Sequence, residues 1–219
     1  AECLHVYEWF ANKVRYAEVE TGPLDTTATS IYAWSFPKFK DLLLPLIKLS
    51  DPCIHDIKIE FDGDVEEAIG MLRDEELLFD NSDRFKVSFI IESTDGKFEL
   101  PIRHQSRGIK KIYDLGALIV NALAFGHTLL VDELESSMHP HVAAKILALF
   151  QNRSSNPYHA QLIFTTHETR LLNLQHLRRD QVWFCEKSGI DSELFALSEF
   201  SPRKDDNLES GYLRGRYGA

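Results

Sequence analysis

Apolar side chains recur at Leu4, Tyr7, Phe10, Ala11, Val14 and Ala17, a spacing that predicts a helix over residues 4–19. Gly22, Pro23 and a run of threonines then predict a loop over residues 21–30. Helical spacing resumes from Phe36 to Leu49, with Pro45 as a predicted kink or break and Ser50-Asp51-Pro52 as its stop. Alternation follows. Residues 57–61 (Ile-Lys-Ile-Glu-Phe) read as a strand with one wet face. Residues 65–78 read as a short acidic helix. Arg84 to Ile91 and Lys97 to Ile102 read as two strands of a hairpin turning through Thr94-Asp95-Gly96.

The pattern changes near Arg103. Ile109 to Phe125 predicts a strongly apolar helix, and His127 to Asp132 a strand with the apolar centre expected inside a parallel sheet. A helix over His141 to Arg153, a strand over Gln161 to Thr165 and a helix over Glu168 to Leu177 follow, then strands at Gln181 to Glu186 and Leu194 to Leu197. Alternating strands and helices predict an α/β layer. The expected organisation is a helical segment (1–55), an antiparallel β meander (56–103), an α/β core (104–200) and a polar tail (201–219). Disorder is the simpler expectation for that tail, the alternative being that Arg214 and Arg216 reach a neighbouring subunit or a nucleotide.

Composition narrows the class. The 219 residues have room for one domain, with or without a small subdomain. No apolar run approaches the roughly 18 residues needed to span a bilayer, so no membrane partner is expected. Cys3, Cys53 and Cys185 have neither disulfide-framework nor metal-ligand spacing, which suits a reducing cytoplasm. A net charge of -10 argues against coating nucleic acid by bulk electrostatics, while a local basic groove stays open. Arg103, Arg107, Lys110 and Lys111 form one such basic cluster, and Arg170, Arg178 and Arg179 a second; a solvated surface explains either equally well.

Three elements bear on chemistry. Leu129-Leu-Val-Asp-Glu133 brings an apolar strand to an end where two carboxylates emerge, the end at which α/β sheets bind ligands. Asp132 there can hold a hydrated Mg²⁺ on phosphates, and Glu133 can polarise a water against a γ-phosphate. A second apolar strand ends in Phe164-Thr-Thr-His167, where His167 can reach the γ-phosphate or orient the glutamate. Upstream, Gln105-Ser-Arg-Gly108 opens a long helix whose first N–H groups, with Ser106, make an anion site, while Gly108 admits close approach to the backbone. Each has a plainer reading: an acidic strand end, a histidine capping a helix, a serine N-cap.

Their order resembles the ABC-class ATPases, in which such elements are the signature motif, the Walker B strand and the H-loop. Asp132-Glu-Leu-Glu-Ser-Ser-Met-His-Pro140 resembles the SMC/RecF-like branch, and its Glu135…His139-Pro140 form is similar to the AAA-type ATPases of phage defence and abortive infection, including Septu-like, retron-associated and PARIS-like systems and relatives of OLD nucleases. Residues 47–59, 106–115, 166–172 and 212–218 agree, and the likeness rests most firmly on residues 103–172. It implies the C-terminal lobe of an ABC-type P-loop ATPase that uses ATP and Mg²⁺. By the same resemblance Asp132 would position Mg²⁺, Glu133 would be the catalytic carboxylate and His167 would sense the γ-phosphate. Ser106, Arg107 and Gly108 would contact ATP held by a second protomer, and Ser136, Ser137 and His139 would form the D-loop at a dimer interface.

No Gly-x-x-x-x-Gly-Lys-Ser/Thr occurs; Gly96-Lys97 is followed by Phe and lacks the earlier glycine. The resemblance puts that loop in an N-terminal lobe, so the sequence looks like a C-terminal portion or one part of a split protein, inactive alone. The implied partners are that lobe, further copies forming a dimer or higher oligomer of heads, and an effector nuclease or toxin. The expected function is an ATP-hydrolysing subunit of an anti-phage system. Alternatives are an OLD-like nuclease-associated ATPase, for which the chain has no room for a second acidic metal site, an SMC/RecF-type repair ATPase, for which heptad arms are missing, and a binding-only scaffold.

Overall fold

A computed structural model describes residues 9, 11–17, 23–73, 78, 80–94, 96–173, 177–201 and 206–217. Two compact units result, residues 1–165 and 166–219.

The first unit holds two sheets. One is parallel, in the order β1 (Val14–Ala17), β5 (Thr128–Val131), β6 (Gln161–Phe164). The other is antiparallel, in the order β2 (Ile54–Phe61), β3 (Phe85–Ser93), β4 (Gly96–Pro101). Its helices are α1 (Pro23–Ser35), α2 (Pro37–Lys48), α3 (Val65–Met71), α4 (Arg107–Phe125) and α5 (Pro140–Gln151). The chain is thus mixed α/β, as expected, with the meander and the central parallel strand near their expected places.

Two N-terminal expectations are overturned. The helix over residues 4–19 gives way at Val14 to β1, which pairs Val14 with Thr128 and Ala17 with Val131; residues 1–8 lie outside the described residues. Apolar spacing over so short a stretch fits either period, and a distant partner strand decides. Of the loop expected over residues 21–30, residues 23–30 are instead helical, in α1, and residues 21–22 lie outside the described residues. Pro23 stands at the first helical position, where its missing N–H costs nothing. The threonines and serine that suggested a loop form a buried polar face: Thr27, Thr29 and Ser30 are closed off from solvent. Ser30 Oγ donates to the Thr26 carbonyl at 2.7 Å and lies 3.0 Å from the Tyr113 hydroxyl. Thr29 Oγ1 accepts from the Ala117 N–H at 3.2 Å, and Thr26 Oγ1 donates to Asp114.

Pro45 lies inside α2, which continues through it as one helix. It lies on the exposed side with Asp41, while Phe39, Leu43, Leu46 and Ile47 are buried. Helix α4 is the hub of the unit, touching α1, α2, β1 and β5. Gly126 ends it in the left-handed conformation (φ 66°), and a side chain there would strike the Tyr158 carbonyl.

In the second unit, Trp183–Ser188 (β7) and Asp191–Ala196 (β8) form a two-stranded antiparallel sheet among the described residues. The predicted helix over residues 168–177 is a single 3₁₀ turn, Thr169–Leu171, with residues 174–176 outside the described set. The tail is ordered where described. Helix α6 (Leu208–Leu213) is capped by Asn207, and Tyr217 is fully buried, stacked on Phe184 5.5 Å away. Val182, Leu197 and Leu208 complete that core. Arg216 meets Asp206 at 3.4 Å and lies over the Tyr217 ring. Among the described residues no helix is long and apolar enough to cross a membrane.

Candidate nucleotide site

Strand β5 ends at Val131, and its parallel ladder runs one bond further, Asp132 N–H donating to the Ala17 carbonyl at 3.2 Å. Asp132 therefore emerges at the carboxyl end of the central strand. Glu133 is not extended, as a strand-borne carboxylate would be. Its φ of 44° is left-handed, a conformation rare for residues with a side chain and concentrated at functional turns. A tight loop follows: Ser136 N–H donates to Glu133 O and Met138 N–H to Glu135 O, both at 2.8 Å, and Ser137 is left-handed too (φ 62°). Buried Leu134 and Met138 pin this loop to the core. His139 closes it as the N-cap of α5, its Nδ1 accepting from the His141 N–H at 3.2 Å while the two rings stack 5.2 Å apart.

Thr165, the residue after β6, binds four consecutive residues. Its N–H donates to Val131 O at 3.1 Å and its carbonyl accepts from Leu134 N–H at 3.1 Å. Its hydroxyl donates to Asp132 Oδ1 at 2.5 Å and accepts from Glu133 N–H at 2.8 Å. Sequence reasoning passed over Thr165 in favour of His167; the available signal was a hydroxyl residue ending the strand next to the carboxylate-bearing one.

Ser106 caps α4, its Oγ accepting from Ile109 N–H at 3.3 Å, with Ser106 and Arg107 exposed. Gly108 also serves packing within the chain. A Cβ there would lie 3.0 Å from the Ser137 carbonyl oxygen, so the glycine lets the start of α4 close on the loop after β5. The structure thus joins Gly108 to Ser137, and Asp132 and Glu133 to Thr165. His167 is exposed and belongs to the second unit. Of the basic clusters, Lys111 is buried rather than on a surface. Lys110 Nζ donates to Arg103 O at 2.8 Å, Arg170 grips Glu168 through two nitrogens, and Arg178 does the same to Asp180.

Residues 8–173 match the model of the family described as "AAA domain, putative AbiEii toxin, Type IV TA system". The chain belongs to this family. No curated protein matches it. The match gives this AAA domain an ATPase relationship of the abortive-infection type, and AAA domains work with ATP and Mg²⁺. The residues present fit that pair in part. Asp132 offers a carboxylate at the ligand-binding end of the sheet, and among the described residues no three His, Cys, Asp or Glu side chains converge on a metal of their own. Mg²⁺ characteristically takes one or two carboxylates and completes its shell with water and substrate phosphates. The matched range takes in all of these residues and most of the first unit.

Proposed function

We propose that this AAA domain is the C-terminal lobe of an ABC/SMC-like ATPase head in an anti-phage defence system. In this reading the nucleotide state of a head dimer switches a partner effector, a nuclease or toxin. The observation that carries the reading is the pair Asp132–Glu133, delivered by the central parallel strand into a turn that Thr165 staples. Asp132 would hold Mg²⁺, which neutralises phosphate charge when bound. Glu133 would take a proton from water as the water oxygen bonds to the γ-phosphorus. The bond from that phosphorus to the β–γ bridging oxygen breaks, and ADP leaves with the electron pair. His167 would donate to the γ-phosphate. Ser106, Arg107 and Gly108 would face ATP bound by a second head, with Ser136, Ser137 and His139 lining the interface.

The phosphate cradle would come from a lobe outside these residues, since the sequence holds no Gly-x-x-x-x-Gly-Lys-Ser/Thr. The chain by itself is then expected to show no ATP turnover. Combined with a P-loop lobe it should turn over ATP, and Glu133→Gln should lower that rate by about 10²–10⁴-fold. Turnover by the purified chain alone that Glu133→Gln abolishes would overturn the split-site reading. Turnover of the assembled ATPase unaffected by Glu133→Gln would overturn the assignment of the base.

A further inference from the structure

We infer that Thr165 is the positioning residue of this site: one hydroxyl sets both carboxylate residues and decides which oxygen of Asp132 is left to face a metal. The inference rests on the ATPase reading above. Its geometry stands on four bonds. Thr165 meets Val131, Asp132, Glu133 and Leu134 in turn, two through its backbone and two through Oγ1.

The direction of the hydroxyl bonds is forced. Glu133 N–H can only donate, so Thr165 Oγ1 accepts from it at 2.8 Å. The hydroxyl hydrogen then has Asp132 Oδ1 before it, at 2.5 Å between the oxygens. With Oδ1 engaged in this way, Oδ2 is the oxygen of Asp132 offered to a metal. Hydrogen bonds that orient a metal's ligand in this fashion are a recurrent feature of metal sites. The second bond acts on the turn. Glu133 stands in a left-handed conformation that a residue with a side chain adopts at a cost, and its N–H anchored on Thr165 holds it there. Thr165, Asp132 and Glu133 are all open to solvent to some degree, so the cluster can be approached by a ligand.

Valine at residue 165 keeps the branched shape and loses the hydroxyl; serine keeps the hydroxyl. In the full chain, amide hydrogen exchange followed by NMR reads the clamp without nucleotide. Glu133 should exchange about tenfold faster in Thr165→Val and stay close to wild type in Thr165→Ser. The Leu134 amide, bonded to the Thr165 backbone carbonyl, is the internal control and should move little. In the assembled ATPase, the Mg²⁺ concentration giving half-maximal turnover should rise about 10–100-fold in Thr165→Val, with serine restoring it. Equal acceleration at Glu133 and Leu134, or serine behaving as valine does, overturns the clamp whatever the chain does with ATP. A clamp confirmed by exchange, beside a turnover that ignores Glu133→Gln, overturns the ATPase reading and with it the positioning role.

Discussion

Gly108 shows how a residue chosen for one reason can serve another. It belongs to Ser106-Arg-Gly108, which is expected to face a phosphate, and a Cβ on it would also meet the Ser137 carbonyl of the same chain. Two effects oppose each other in Gly108→Ala. Alanine favours a helix by up to about 1 kcal/mol, while a Cβ 3.0 Å from Ser137 O obliges the loop to give by a few tenths of an ångström. Thermal unfolding should therefore shift by no more than a few degrees, while amide chemical shifts of Ser137 and Met138 change clearly. Unchanged shifts there would mean the contact is absent in solution. The places of Asp132 and Ser106, at a strand end and a helix start, were legible in the sequence because each is marked by its immediate neighbours: an apolar strand ending in carboxylates, a serine three residues before a helical N–H. Thr165 was not, because its part depends on the register that sets Phe164 beside Val131. Lys111 was misplaced for a similar reason, the face of α4 that turns inward being fixed by what covers it.

Helices α1 and α4 meet along a seam that is polar as well as apolar. Ser30 faces Tyr113 OH, Thr29 bonds the α4 backbone at Asp114 and Ala117, and Thr26 bonds the Asp114 side chain. Buried polar pairs of this kind specify register, since sliding one helix by a turn would break the bonds that cross the seam. Tyr113→Phe removes one partner, and Ser30 keeps its bond to Thr26 O, so the cost at neutral pH should be about 1 kcal/mol. The same variant has an alkaline signature. Burial raises the Tyr113 phenol above its ordinary value, with the Asp114 charge adding to the shift against the Ser30 bond. The unfolded chain ionises this phenol near pH 10 and the folded chain does not, so native stability falls as pH rises beyond that point. Denaturant titrations from pH 8 to 11 should show a shallower alkaline decline in Tyr113→Phe than in wild type; parallel curves would refute the assignment. This seam is also why α1 escaped sequence reading. Thr-Thr-Ala-Thr-Ser carries a turn-like composition, and only the polar face of α4 makes it a helix. Elements with a strong internal period, α4 and the β3–β4 hairpin, were legible within a few residues. Strand β1, four residues long, carried no period of its own.

Across the whole chain, the family match and the α/β architecture agree on an ATPase domain, while the net charge of -10 sets any nucleic-acid contact against a general repulsion. The carboxylate pair stands on a central strand whose two neighbours come from opposite ends of the first unit. Val14 pairs with Thr128, and Thr128 with Gln161; helices α1 to α4 and the antiparallel sheet lie between the first two in sequence. That arrangement has a consequence in time. Parallel pairing between distant segments closes late, because the loop entropy is lost before the contacts form. During synthesis β1 leaves the ribosome before β5, and its pairing with β5 waits until the residues between them have been made. In pulse-labelled refolding the amides of β1 and β5 should gain protection after those of the β2–β4 sheet, and their appearance in an earlier phase would contradict this order. A cell making this chain thus carries, until β5 is made, a nascent segment whose β1 strand still lacks that partner, the kind of species that chaperones bind.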